Sequence, residues 1–212
     1  MKIDFTNIKH VIFDLGGVIL NIDPQRTIDE MEKLGVKDFD RLYSQIKQNH
    51  VLDQLEKGLI NEQEFVEAIQ KYSGIAATPE EIRRCWNCQL LDFPPERIEL
   101  LKELKQSERY KTYLLSNTNS IHKKVYNQML VDQFGVNGVE SLFEKAYFSH
   151  EINMRKPDKE IFEYVLKESN LKPEKTLFID DSEANLRGAQ KLGIKTILVN
   201  SHYNITDLFS YA

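Results

Sequence analysis

The stretch Val11-Ile12-Phe13-Asp14-Leu15-Gly16-Gly17-Val18 constrains the fold of this chain more than any other. Three apolar residues are followed by a carboxylate and then by two glycines. Such a run reads as a buried parallel strand that stops abruptly and presents Asp14 at its carboxyl end. In an open α/β sheet that end is where ligands bind, and glycines let the backbone approach a ligand closely. The same layout returns three times. Tyr113-Leu114-Leu115 precedes Ser116, Asn117 and Thr118; Ala146-Tyr147-Phe148 leads through a loop to Arg155-Lys156-Pro157; Leu177-Phe178-Ile179 precedes Asp180 and Asp181. A carboxylate after one apolar run most simply caps a helix or turn. Four such runs in succession gather a carboxylate, a hydroxyl with an amide, an ammonium and a carboxylate pair on one edge of one sheet.

Between the first strand and the rest the pattern changes. From Asp23 to about Asp92 the signals are helical. Asp23-Pro24 is an N-cap followed by proline at the first helical position, and Gly35 stops that helix. A second helix is expected over 38–49. Asn61 with Glu64, and Thr78-Pro79 with Glu81, have capping-box spacing and start helices near 62–73 and 79–90. The expectation is a four-helix insertion over 21–92 within a core made of 1–20 and 93–212. From Pro94 onward helices at 95–106, 119–133, 157–169 and 182–192 alternate with strands at 112–115, 145–148, 176–179 and 196–199. That alternation predicts an α/β fold, a parallel sheet with helices on both faces.

Charge and composition exclude several functions. The formal net charge is −5 and no basic stripe exists, so nucleic acid is not an expected partner. No apolar run approaches the ~18 residues needed to cross a membrane, and the N-terminal residues lack the apolar core of a signal peptide. A cytoplasmic protein is expected. Cys85 and Cys88 form Cys-Trp-Asn-Cys. They fall inside a helical segment with no preceding strand and no further zinc ligands at suitable spacing, so neither a redox motif nor a zinc site is assigned. Asn204-Ile205-Thr206 matches a glycosylation sequon by chance, given no secretory signal.

The phrases FDLGGVI, LSNTN, MRKP and IDDSEAN resemble the four motifs of the haloacid dehalogenase-like hydrolase superfamily over the whole chain. The likeness is strongest to its small bacterial phosphatases, a group that includes α-D-glucose-1-phosphate phosphatases. The resemblance implies a Rossmann-like five-stranded sheet with its first strand in the middle, flanked by the second and fourth, and a helical cap over the site. It implies a phosphatase acting on a small-molecule phosphate ester, such as a sugar phosphate. Asp14 would be the nucleophile that forms an aspartyl-phosphate, and Lys156 would pair with the phosphate and with Asp14. Mg²⁺ would be bound by Asp14, Asp181 and the backbone carbonyl of Gly16, with Asp180 joining them or standing behind. Ser116 would supply a hydroxyl, and Asn117 and Thr118 backbone N–H groups, to the phosphate.

Plainer roles stand beside these. Asp180-Asp181 can cap helix 182–192, Asn117 or Asn119 can cap helix 119–133, and Lys156 can be a solvated lysine before a helix. His122 reads as a helix-surface residue rather than a catalyst. One departure matters. The common phosphatase motif is Asp-x-Asp, and its second Asp protonates the departing oxygen; here that position is Gly16. General acid catalysis is worth roughly 10²–10⁴-fold, so its absence leaves two other readings in play. One is a 2-haloacid dehalogenase, in which Asp14 attacks carbon. The other is a phosphate-ligand-binding domain of weak activity. The oligomeric state is not encoded in any of these patterns.

Overall fold

The strands form where apolar residues run unbroken, because both faces of each strand are covered. Val11 and Phe13 are fully buried, and Ile12 is 1% exposed. The computed structural model describes residues 5–107, 109–200 and 204–209. Residues 1–4, 108, 201–203 and 210–212, assigned to the core on sequence, lie outside the described residues. Five strands, β1 (His10–Phe13), β2 (Lys111–Ser116), β3 (Lys145–Phe148), β4 (Thr176–Asp180) and β5 (Lys195–Leu198), pair in parallel in the order β3-β2-β1-β4-β5. β1 is central, between β2 and β4, in the order the resemblance implies. Its register sets Phe13 beside Leu114 and Ile179. Asp14, Ser116 and Asp180 therefore emerge at one edge of the sheet.

Strand periodicity divides the core into two layers. Val11, Phe13, Leu114, Leu177 and Ile179 join an apolar cluster with Ile98, Tyr126 and Leu208. These three come from α6 (Pro95–Gln106), α7 (Ser120–Phe134) and α11 (Ile205–Phe209). Ile12, Tyr113, Leu115 and Phe178 face the other way, onto Phe162 and Leu186, supplied by α9 (Lys159–Glu168) and α10 (Glu183–Gln190). A single turn, α8 (Ser149–Ile152), follows β3.

Between β1 and α6 the described residues form five helices, where the sequence predicts four. They are α1 (Pro24–Lys33), α2 (Phe39–Gln48), α3 (Val51–Glu56), α4 (Glu62–Ser73) and α5 (Pro79–Asn87). The unforeseen one, α3, has six residues and no side-chain N-cap, and begins after His50 turns left-handed at φ 57. It therefore lacks both the length and the cap that announce a helix. The caps foreseen do form: Asp23 accepts from Gln25 N–H, and Asn61 with Glu64 and Thr78 with Glu81 close as capping boxes. This block has its own apolar cluster, including Met31, Phe65, Ile69 and Ile82, into which α7 inserts Ile121.

The chain enters and leaves the block through a short paired ribbon. Ile22 bridges Leu90 antiparallel. Asn21 N–H donates to Asp92 O at 2.9 Å, Leu91 N–H to Asn21 O at 3.0 Å, and Asp23 N–H to Gln89 O at 2.8 Å. The ribbon claims Gln89 and Leu90, which is why α5 stops at Asn87 instead of reaching 90. Cys85 and Cys88 are free, and burial pushes the Cys85 thiol up, away from the thiolate that redox chemistry needs. No helix among the described residues is long and apolar enough to cross a membrane.

Candidate active site

Three strand ends converge on Lys156. Its Nζ lies 2.8 Å from Asp14 Oδ1 and 2.7 Å from Asp180 Oδ2, and the side chain is 1% exposed. Burial alone would push this ammonium down; Asp14 and Asp180 outweigh it and hold the pKa above its usual value. The solvated lysine considered on sequence is thus excluded. For Asp14 burial dominates the other way. It lifts the carboxyl to about 7, with Asp180 adding to the rise and Lys156 opposing it.

Asp180 is fully buried, with both oxygens engaged. Besides Lys156, it accepts from Ser182 N–H at 2.7 Å and from Asn185 Nδ2 at 3.0 and 3.1 Å. Asp181 is exposed at its surface, though burial of the rest still raises its carboxyl. The two neighbours therefore do different things: Asp180 braces the lysine, while Asp181 reaches toward the mouth of the site. Asp14, Asp180 and Asp181 each bring an oxygen to within 4.8 Å of the others. Three carboxylates around one ammonium leave two negative charges in excess, and hard oxygen donors suit a small divalent cation. The residues present fit Mg²⁺. Gly17, at φ +72, makes room for this: a Cβ there would lie 2.1 Å from Asp181 Oδ2.

Ser116 ends β2 and is 2% exposed. Asn117 does something that sequence reasoning missed. Its side chain clamps the backbone of Lys156, donating Nδ2 to Lys156 O and accepting from Lys156 N–H, each at 2.9 Å. Thr118 corrects an expectation. Its backbone N–H donates to Ser149 Oγ at 2.9 Å, so this amide is not aimed at a phosphate. Ser149 in turn donates to Thr118 O at 3.0 Å, pinning the loop after β2 to α8. Asn119, not Asn117, caps α7, accepting from His122 N–H. Asn185 belongs to a motif phrase that carried no role for it on sequence; the tertiary contacts of Asn117 and Ser149 leave no local signal.

Asn117, Thr118 and Asn119 line a cavity of about 570 Å³ whose other walls come from the helical block, among them Ile22, Phe39, Leu52, Glu56 and Trp86. His122 also lines it, which overturns its reading as a surface residue. The ring stacks on Trp86 at 5.4 Å between centroids, 8° from parallel. Gln89 Nε2 lies 3.0 Å from His122 Nε2, and Asn87 Oδ1 lies 2.9 Å from Nδ1. An amide nitrogen only donates and an amide oxygen only accepts, so Nδ1 carries the proton. Burial pushes the pKa down to about 3, and the ring is neutral. On the side toward β3, Arg155 ties α3 to the core. It meets Asp53 Oδ1 at 3.1 Å and Glu56 Oε2 at 3.0 Å. Asn153 Nδ2 donates to Lys57 O at 2.7 Å.

A central parallel sheet whose strand ends hold this carboxylate–ammonium–carboxylate group defines a class of α/β hydrolase. The model of the haloacid dehalogenase-like hydrolases matches residues 8–193, and the chain belongs to that family. The chain is similar to D-ribitol-5-phosphate phosphatase from Bacteroides thetaiotaomicron, 31% identical over 89% of this chain and 90% of that protein. It is also similar to a phosphorylated carbohydrates phosphatase from Thermotoga maritima, 25% identical over 88% of this chain and 82% of that one. A solved haloacid dehalogenase family enzyme from Bacteroides thetaiotaomicron, in complex with magnesium and inorganic phosphate, superposes with a TM-score of 0.84. It is 38% identical, and the match covers 95% of this chain and 99% of that one.

Proposed function

We propose that this chain is a Mg²⁺-dependent phosphatase that hydrolyses a small sugar or polyol phosphate through an aspartyl-phosphate on Asp14. The observation that carries it is the buried Lys156 ammonium bonded to Asp14 and Asp180, with Asp14 and Asp181 left to face incoming charge. The names of the relatives and the magnesium and phosphate bound to the solved one support the same reading. Asp14, Asp181 and the Gly16 carbonyl would hold the ion, with Asp180 behind them. Bound Mg²⁺ would offset phosphate charge and so let an anionic nucleophile approach.

The chain's own groups do the rest. Asp14 Oδ attacks phosphorus in line with the departing oxygen, and Lys156 screens the charge between nucleophile and phosphate. The Ser116 hydroxyl and Asn117 N–H donate to the phosphate oxygens at a strand-to-helix junction. We read the helical block, residues 21–92, as a cap that closes the leaving-group side. Among the described residues no lysine or arginine lines that cavity, and His122 is neutral. A second phosphate or a carboxylate on the leaving group would meet no cation there, so the organic part of the substrate is uncharged. A dehalogenase has no phosphate charge to offset and no use for the Asp14–Asp181 pairing.

The test is a panel of sugar and polyol monophosphates, assayed with Mg²⁺ and with EDTA, beside chloride release from a 2-haloacid. Metal-dependent phosphate release that disappears in Asp14→Asn, with an unchanged circular dichroism spectrum, is the expected result. Chloride release, or appreciable turnover by Asp14→Asn, would overturn the assignment.

A further inference from the structure

The position two residues past Asp14, where a carboxylate could protonate the departing oxygen, is Gly16. The helical block brings a carboxyl of its own to the cavity beside the loop after β2. Glu56, the last residue of α3, lines the same cavity as Asn117 and Thr118. The other titratable side chains lining that cavity are Tyr43, which is 45% exposed, and His122, whose two ring nitrogens are already bonded. Glu56 Oε2 is buried and accepts no hydrogen bond; Arg155 Nη2 comes within 3.0 Å but off the bonding axis.

Position and environment are both set by the clamp between α3 and the core. Gly58, at φ +63, packs so closely on α8 that a Cβ would lie 2.1 Å from His150 O. Lys57 Nζ reaches Asp158 at 3.5 Å. The charged groups facing Glu56 are Arg155 and Lys156 from the loop before α9 and Asp53 from α3 itself. Burial raises the Glu56 carboxyl, Arg155 and Lys156 pull it down, Asp53 pushes it up, and the net direction is upward. A carboxyl held above its usual range retains a proton to give.

Building on the phosphatase reading, we propose that Glu56 is the leaving-group acid, supplied by the helical block in place of the residue missing at position 16. As the bond between phosphorus and the ester oxygen breaks, its electron pair stays on that oxygen, which takes the proton from Glu56. The phosphoryl group bonds to an Asp14 oxygen. In the second step a water oxygen attacks phosphorus as the bond from phosphorus to the Asp14 oxygen breaks, its electron pair returning to Asp14, and the water's proton returns to the Glu56 carboxylate. Inorganic phosphate leaves, and Asp14 and protonated Glu56 are restored.

The experiment compares an alkyl phosphate such as ribitol 5-phosphate with p-nitrophenyl phosphate, whose departing oxygen needs no proton, in the unaltered protein and in Glu56→Gln. Expected is a loss of about 10²-fold or more in kcat on the alkyl phosphate, with a loss at least tenfold smaller on the aryl one. The fall of kcat on the basic side of the alkyl-phosphate pH profile also disappears. Equal losses on both substrates, or no loss on either, overturn the proposal while leaving the phosphatase reading standing. Absence of metal-dependent turnover in the unaltered protein overturns both. If Glu56→Gln does not fold, Glu56→Ala, which removes the carboxyl altogether, is scored by the same criteria.

Discussion

At the scale of single residues, two adjacent glycines do unlike things. Gly17 sits in the left-handed region and leaves no space beside Asp181, whereas a Cβ on Gly16 would meet only the flexible end of Ile22, at 3.2 Å from Cδ1. Gly17→Ala therefore combines about 1–2 kcal/mol of backbone strain with displacement of Asp181. The expected outcome is at least a tenfold rise in the Mg²⁺ concentration for half-maximal activity, read by metal titration, with a milder effect from Gly16→Ala. The reverse ranking would show that Gly16 carries the constraint. The two aspartates separate in the same way. Asp181→Asn should weaken metal dependence with little change in melting temperature. Asp180→Asn should lower the melting temperature, because breaking a buried ion pair costs about 3–5 kcal/mol; equal melting temperatures for the two variants would refute the division of roles. The sequence points to all of these positions as members of motif phrases. It does not tell which glycine is strained or which aspartate is saturated, because both depend on how the turn after β1 meets the turn after β4.

At the scale of elements, His122 shows where local pattern stops being informative. Helix α7 has no pronounced apolar stripe, since it is covered by the sheet on one side and by α5 on another. A histidine in its first turn thus reads as solvent-facing, yet the face is buried by a helix about 35 residues earlier in the chain. The folded state holds the ring neutral with a pKa of about 3, against about 6.5 in the unfolded chain. The unfolded chain therefore binds a proton that the folded one refuses. The stabilisation from His122 is complete above pH 6.5 and is lost as pH falls from there toward 3. The slope approaches 1.36 kcal/mol per pH unit. Melting temperature measured between about pH 6.5 and pH 4 should fall less steeply in His122→Gln than in the unaltered protein; parallel curves would show that the imidazole charges without cost. The capping boxes, by contrast, were legible because each is complete within four residues.

At the scale of the whole molecule, a parallel sheet with helices on both faces was readable from strand runs and their alternation with helices, whereas the strand order came from the family resemblance and not from the runs. The fifth helix of the inserted block was not, because six uncapped residues carry no periodic signal. The ribbon that joins block and core was not readable either, since its partners, Asn21 to Asp23 and Gln89 to Asp92, are some 70 residues apart. That ribbon supports a prediction. Replacing residues 24–88 by a short Gly-Ser turn should leave the parallel sheet folded, as judged by circular dichroism and by exchange-protected amides in β1 and β4. It should abolish turnover of alkyl phosphates. Loss of sheet protection would show that the block is needed to fold the core. The cost of closing a loop grows only by about 0.6 kcal/mol for each doubling of its length, and here the two ends are already fastened together. What hangs between them can lengthen, shorten or be exchanged without the strands changing register. The paired ribbon is thus a single doorway, at which the recognition half of the molecule could be exchanged as a unit while Asp14, Lys156 and Asp180 keep their places on the sheet.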